Sequence, residues 1–179
     1  MRALWRNALA GRKLFQAAIV LGGMLIALPP SAAAADSGPI AIAVIELDYV
    51  DTSGEVRDQG QEHAARIARF SEALRGDLAR SGKFRIVTPR CDPAPCASSG
   101  APPSALLASA REAGAKLVLI GGVHKQSTLI QWAKVQAIDV DADRVVLDKL
   151  LTFRGDTDEA WDRAEVFLAR ELTTLAPAP

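Results

Sequence analysis

Apolar and polar positions change rhythm several times along this chain, and each rhythm predicts an element. Pro39 to Val50, PIAIAVIELDYV, is apolar and partly β-branched up to Ile45; Glu46 and Asp48 then alternate with Leu47 and Tyr49. That predicts one strand, buried on both faces where it begins. After a polar loop, Ala64, Ile67, Ser71, Leu74 and Leu78 recur at helical spacing with Arg and Glu opposite, and Ser81-Gly82 stops the helix. KFRIVTP, from Lys83, predicts a second strand, Pro103 to Gly114 a short helix, and AKLVLIGGVHKQS, from Ala115, a third strand. Gly121-Gly122 within it lacks the spacing of a phosphate-binding loop and reads as a bulge or a close packing point.

From Thr128 the rhythm is period two. Leu129, Gln131, Ala133, Val135 and Ala137 share one face, and Ile130, Trp132, Lys134, Gln136 and Ile138 the other. DADR turns the chain, and Val145, Leu147, Lys149 and Leu151 alternate after it, which predicts a β-hairpin. Last, Trp161, Ala164, Leu168, Leu172 and Leu175 form one helical stripe, which Val166 and Phe167 widen. The order β-α-β-α-β-β-β-α predicts an α/β (α+β) sandwich on a mixed sheet: parallel crossovers first, an antiparallel meander after.

The first 35 residues carry Arg2, Arg6, Arg12 and Lys13, then the uncharged run Leu14 to Leu28, then Pro29-Pro30 and SAAAAD. This is the pattern of a cleaved secretory signal peptide. The apolar run is shorter than the roughly 20 residues of a membrane span. Residues 36–179 are then one exported domain with a Pro-rich cysteine loop at 89–103 and a short tail at 176–179. The whole chain has 21 basic and 21 acidic residues; without the leader 17 and 21 remain, and no basic cluster that would suit nucleic acid.

Export changes the reading of Cys91 and Cys96, the two cysteines of the chain, which lie in PRCDPAPCASSGAPP. A structural disulfide fits an oxidising compartment. A redox pair is the alternative, although four intervening residues are not the usual two. A metal site wants four ligands, and His63 and His124 are far off in sequence.

The densest polar stretch is FRGDTDEAW, Phe153 to Trp161. Asp156 or Thr157 suits a helix N-cap, Asp158 and Glu159 suit its first turn, and Trp161 suits an anchor on the sheet. Glu159, Asp162, Arg163 and Glu165 read as exposed helix charges, and Arg154-Gly155-Asp156 as a chance match to an adhesion tripeptide. Asp139, Asp141 and Asp143 resemble half a calcium loop, but Arg144 and Leu150 stand where Gly and Glu are needed. No nucleophile–base or zinc motif is present in the sequence.

The segments Gly121 to Ser127 (G-x-V-x-K-x-S in its family form, with Gly122, His124 and Lys125) and Arg154 to Trp161 (R-G-[ND]-T-D-E-[SA]-W) resemble an uncharacterised proteobacterial family of secreted proteins. The layout is similar to the amino-terminal domain of the TolB translocation protein and to the curli-secretion lipoprotein domain. The resemblance implies a periplasmic interaction domain rather than an enzyme, with no cofactor and with another periplasmic protein as partner. It also implies a link, for some relatives, to quinoprotein alcohol-oxidation systems.

Two readings follow. In the first, the chain is a non-catalytic accessory module whose surface is Trp132, Lys134 and Lys125 on the hairpin, or a free strand edge; Trp132 packed beneath a helix is the plain alternative. In this reading Arg154, Asp156, Thr157 and Trp161 cap and anchor the last helix. In the second, it is a small-molecule sensor or small enzyme with a site near Glu46, Asp48, His124 and Arg154.

Overall fold

The computed structural model describes residues 38–92 and 94–175. The leader expected at 1–35 and the tail at 176–179 lie outside the described residues. The elements run β1 (Ile40–Val44), β2 (Asp48–Asp51), α1 (Gly60–Arg80), β3 (Phe84–Val87), α2 (Pro103–Glu112), β4 (Leu117–Lys125), β5 (Ile130–Asp139), β6 (Arg144–Arg154) and α3 (Asp158–Thr173). The sheet order is β3-β1-β4-β5-β6, with β2 also paired to β4. β1 is parallel to β3 and β4, β2 is parallel to β4, and β4, β5 and β6 form the antiparallel meander. The mixed α+β sandwich expected from the rhythm is the observed architecture.

The predicted first strand is interrupted. Ile45 to Leu47 leave the regular ladder, and Glu46 instead bridges Ala97 of the cysteine loop, donating to Cys96 O at 2.9 Å and accepting from Ser98 N at 3.0 Å. Periodicity cannot register this break, because a loop far along the chain supplies the hydrogen bonds.

Two cores form. α1 and α3 cover one sheet face, where Phe70, Leu74, Leu78, Trp161, Leu168 and Leu172 meet the inward residues of the strands. α2 and the cysteine loop cover the start of the other face with Leu106, Leu107, Ala110 and Cys96 over Ala43, Val118, Ile138 and Val140. The Cys91–Cys96 disulfide is formed, with Cα atoms 5.1 Å apart, inside the usual range. The stripe of α3 is narrower than expected. Val166 and Phe167 are exposed, and Glu165, read as a surface charge, is buried at 4% exposure against α1.

Gly121 explains the Gly-Gly pair. A Cβ there would lie 2.2 Å from Lys134 O and 2.9 Å from Val135 Cα, so only glycine lets β5 approach β4 at this point. Gly121→Ala should destabilise the fold by about 2 kcal/mol or more through forced backbone displacement. Urea unfolding of the two proteins measures it, and an unchanged midpoint would contradict the close-approach account.

Candidate functional site

The richest polar cluster forms where β4 ends, β5 begins and α3 begins. Gly155 turns the chain after β6 with φ of 95°, a value that suits glycine. Its carbonyl accepts from Gln131 Nε2 at 2.9 Å. The next residue, Asp156, points inward. Its Oδ2 accepts from Lys125 Nζ at 2.7 Å and His63 Nε2 at 2.8 Å. Its Oδ1 accepts from Arg66 Nη1 at 2.9 Å, Gln131 Nε2 at 3.3 Å and Trp161 Nε1 at 3.4 Å. Lys125, fully buried, donates further to Glu55 Oε2 at 2.7 Å and Gln59 Oε1 at 2.6 Å, so all three ammonium protons have acceptors. The Tyr49 ring stacks on His63 with centroids 4.5 Å apart and walls the cluster.

The electrostatics follow from this packing. Burial would raise the Asp156 carboxyl, but the hydrogen bonds from Lys125 and His63 outweigh it and hold the group at about 2. Burial would lower the Lys125 ammonium, and its bonds to Asp156 and Glu55 reverse that into a net rise. Both groups are locked in their charged forms. A general acid or base needs the opposite, a proton affinity near the working pH and an open path to substrate. Of four clefts outlined by described residues, none is lined by Lys125, His63 or Asp156. Lys125 and His63 lie at its buried centre and Glu55 and Gln59 at its half-buried rim, so among the described residues the cluster is a structural clamp.

Lys125 therefore cannot belong to a contact surface; it is fully buried, in phase with Leu119 and Val123 on the helix-covered side of β4. His63 is buried too. Thr157 is the N-cap of α3, its Oγ1 accepting from Ala160 N at 3.4 Å, and Asp158 and Glu159 occupy the first turn. Asp156 belongs to the clamp and Trp161 to the main core, 1% exposed. Arg154, grouped with the cap in the sequence, is exposed at the end of β6 and takes no part in the cap.

Trp132 and Lys134 lie on the opposite sheet face, beyond the reach of α2. There Trp132 stands opposite His124 on one side and Thr152 on the other, and Lys134 opposite Gly122 and Leu150. Lys134 and Thr152 are exposed, Leu150 is 56% exposed, and Trp132 is half-buried with its ring edge-on to His124 at 5.8 Å. Lys134 pairs with Asp148. Among the described residues the result is an uncovered patch of sheet with an aromatic centre and a charged surround.

Glu46, Asp48, His124 and Arg154 do not come together. Glu46 binds Arg75 Nη2 at 2.5 Å beside the cysteine loop. Asp48 Oδ1 accepts from Ser99 N at 3.0 Å and Ser99 Oγ at 2.8 Å. His124 Nε2 shares a 2.6 Å hydrogen bond with Thr52 Oγ1. Glu46, Asp48 and Arg154 line three different clefts. Asp139 Oδ1 accepts from the backbone of Asp141 and Ala142, and Asp141 binds Lys116, so these two acids serve the hairpin turn.

The fold and the clamp define a small mixed-sheet domain built around one buried ion cluster. The model of the family DUF3280, described as protein of unknown function (DUF2380), matches residues 40–172, and the chain belongs to that family. No curated protein matches it. Among solved structures it is similar to TolB from Acinetobacter baumannii, at 20% identity and a TM-score of 0.50, over 78% of this chain and 28% of that one. It is also similar to the PelC dodecamer from Paraburkholderia phytofirmans, at 18% identity and 0.49, over 79% of this chain and 90% of that one. The LpoB C-terminal domain from Salmonella enterica aligns at 20% identity and 0.42, over 66% and 86%. The TolB-like layout expected from the sequence is thus found, and this chain spans just over a quarter of that TolB chain.

Two buried acids give stability opposite dependences on pH. The Asp156 carboxyl falls from 3.8 to about 2 on folding, so its contribution, about 2 kcal/mol, is present above pH 4 and lost as pH drops towards 2. Glu165 is raised from 4.5 to about 7, by burial first and then by Asp77. Its folded state holds a proton that the unfolded chain releases, so stability declines as pH rises from 4.5 to 7. Urea midpoints should therefore peak near pH 4 to 5, and Glu165→Gln should raise the midpoint at pH 8 while leaving it unchanged at pH 4. A Glu165→Gln midpoint that tracks the parent at both pH values would refute this assignment.

Proposed function

We propose that the chain is a non-catalytic binding module of the periplasm that works through the uncovered sheet face around Trp132 and Lys134, with another exported protein as its partner. The observation that carries the reading is the clamp: the strongest concentration of charge among the described residues has every ammonium proton of Lys125 spent on structure, and Lys125, His63 and Asp156 line none of the four clefts described above. The disulfide is consistent with an oxidising compartment, as is the signal-like start of the sequence. Trp132 supplies the large amphipathic side chain that binding surfaces favour, and Lys134 and Asp148 a charged rim. The sensor or enzyme reading loses support because its four residues lie apart. A partner within a quinoprotein oxidation system is a candidate for the same face, suggested by the family resemblance.

Crosslinking the tagged protein in the cell, followed by mass spectrometry, tests the reading. A reproducible partner should be captured by the parent and reduced about tenfold or more by Trp132→Ala and by Lys134→Glu, with thermal unfolding of both variants close to the parent. Capture that neither substitution alters, or substrate turnover by the purified protein alone, would overturn it.

A further inference from the structure

The two edges of the sheet differ. β3 spans four residues, Phe84–Val87, and Pro89 follows it closely, so that edge is short and blunted. β6 spans 11 residues, and its outer side pairs with no strand among the described residues. From Leu147 to Arg154 it contains no proline or glycine, and the one register shift lies at Ala137/Ile138, near its far end. Folded proteins guard a free edge with shortness, proline, bulges or charge; β6 relies on charge alone, which a strand of matching charge can satisfy. Exposed apolar side chains gather here as well: Val145 and Leu150 on β6, and Val166 and Phe167 on α3 beside it. Between strand and helix runs a cleft of about 510 Å³, bordered by Lys149, Arg154, Arg163 and Phe167.

Charge decides what fits. We propose that the free edge of β6 pairs with the same edge of a second copy of this chain, antiparallel about a two-fold axis at Leu151. That register sets Asp148 opposite Arg154 of the second copy twice, Leu150 opposite Thr152, and Lys149 opposite Phe153. Moving the axis to Lys149 would set Lys149 against Lys149 and Arg144 against Arg154, and directly opposed like charges are destabilising. Arg154 carries no ion pair among the described residues, so it is available for this contact. Asp148 already receives Lys134 and Gln136 and retains lone pairs for a guanidinium. Such a symmetric pairing closes on itself and ends the exposed edge. It brings the α3 helices of both copies to one side of the joined sheet, where Val166 and Phe167 gain cover. This inference stands apart from the sheet-face reading above and does not depend on it.

Sedimentation velocity on the purified protein across a dilution series tests it. The parent should form a dimer that dissociates on dilution. Arg154→Asp and Asp148→Arg, each folded by circular dichroism, should each weaken self-association about tenfold or more. An equimolar mixture of the two variants should recover the dimer. In the mixed pair one copy carries a carboxylate at both positions and the other a guanidinium at both, so each contact is again between opposite charges. A parent that is monomeric throughout, reversals that leave its dimer intact, or a mixture that stays monomeric would each overturn the proposal.

Discussion

One carboxylate, Asp156, gathers five side chains from four elements: His63 and Arg66 of α1, Lys125 of β4, Gln131 of β5 and Trp161 of α3. Burying an ion pair is costly, and the mutual attraction offsets the lost hydration only where the remaining donors and acceptors are also satisfied. Here they largely are. Lys125 uses Glu55 and Gln59 as well as Asp156, which fixes the loop before α1 against the end of β4. The clamp therefore sets where α1 and α3 begin relative to the sheet. The apolar contacts of Phe70 and Trp161 beneath them, edge-on at 6.1 Å, depend on that placement.

Much of this was legible in the residues. Period two gave the hairpin and its turn, period 3.6 gave the helices, and the glycines at 121 and 122 marked a close strand approach. Local chemistry narrowed the cap of the last helix to Asp156 or Thr157, and Thr157 takes it. The clamp was harder to read because its members come from separated segments. A phase argument would have found part of it. Lys125 falls in step with Leu119 and Val123, Gln131 with Ala133 and Val135, and His63 with Phe70 and Leu74, so each is a polar residue at a core position. Three polar core positions imply a common partner, and Asp156 lies in the densest acidic stretch of the chain. The break in the first strand had no such signal, since Cys96 and Ser98 supply its hydrogen bonds from about 50 residues away.

The same division of labour bears on function. Polar residues that a motif search singles out, Lys125 and Asp156 among them, are spent on holding the fold. The residues that reach the surface are others: Trp132 and Lys134 on the bare sheet face, and Arg154 at the end of the edge strand. Family-typical blocks here need not mark a site, because a buried ion cluster constrains its members as strictly as chemistry would.

A double-mutant cycle between Lys125 and Asp156, read by urea unfolding, tests the central claim most directly. With Lys125→Met and Asp156→Asn, each single change should cost about 3 kcal/mol, because it leaves Lys125 with Glu55 alone or Asp156 without its buried ammonium. The double variant should cost about 1 kcal/mol more than the worse single one, giving a coupling of about 2 kcal/mol. Small, additive losses would contradict the clamp and return both residues to the list of groups free for binding or catalysis.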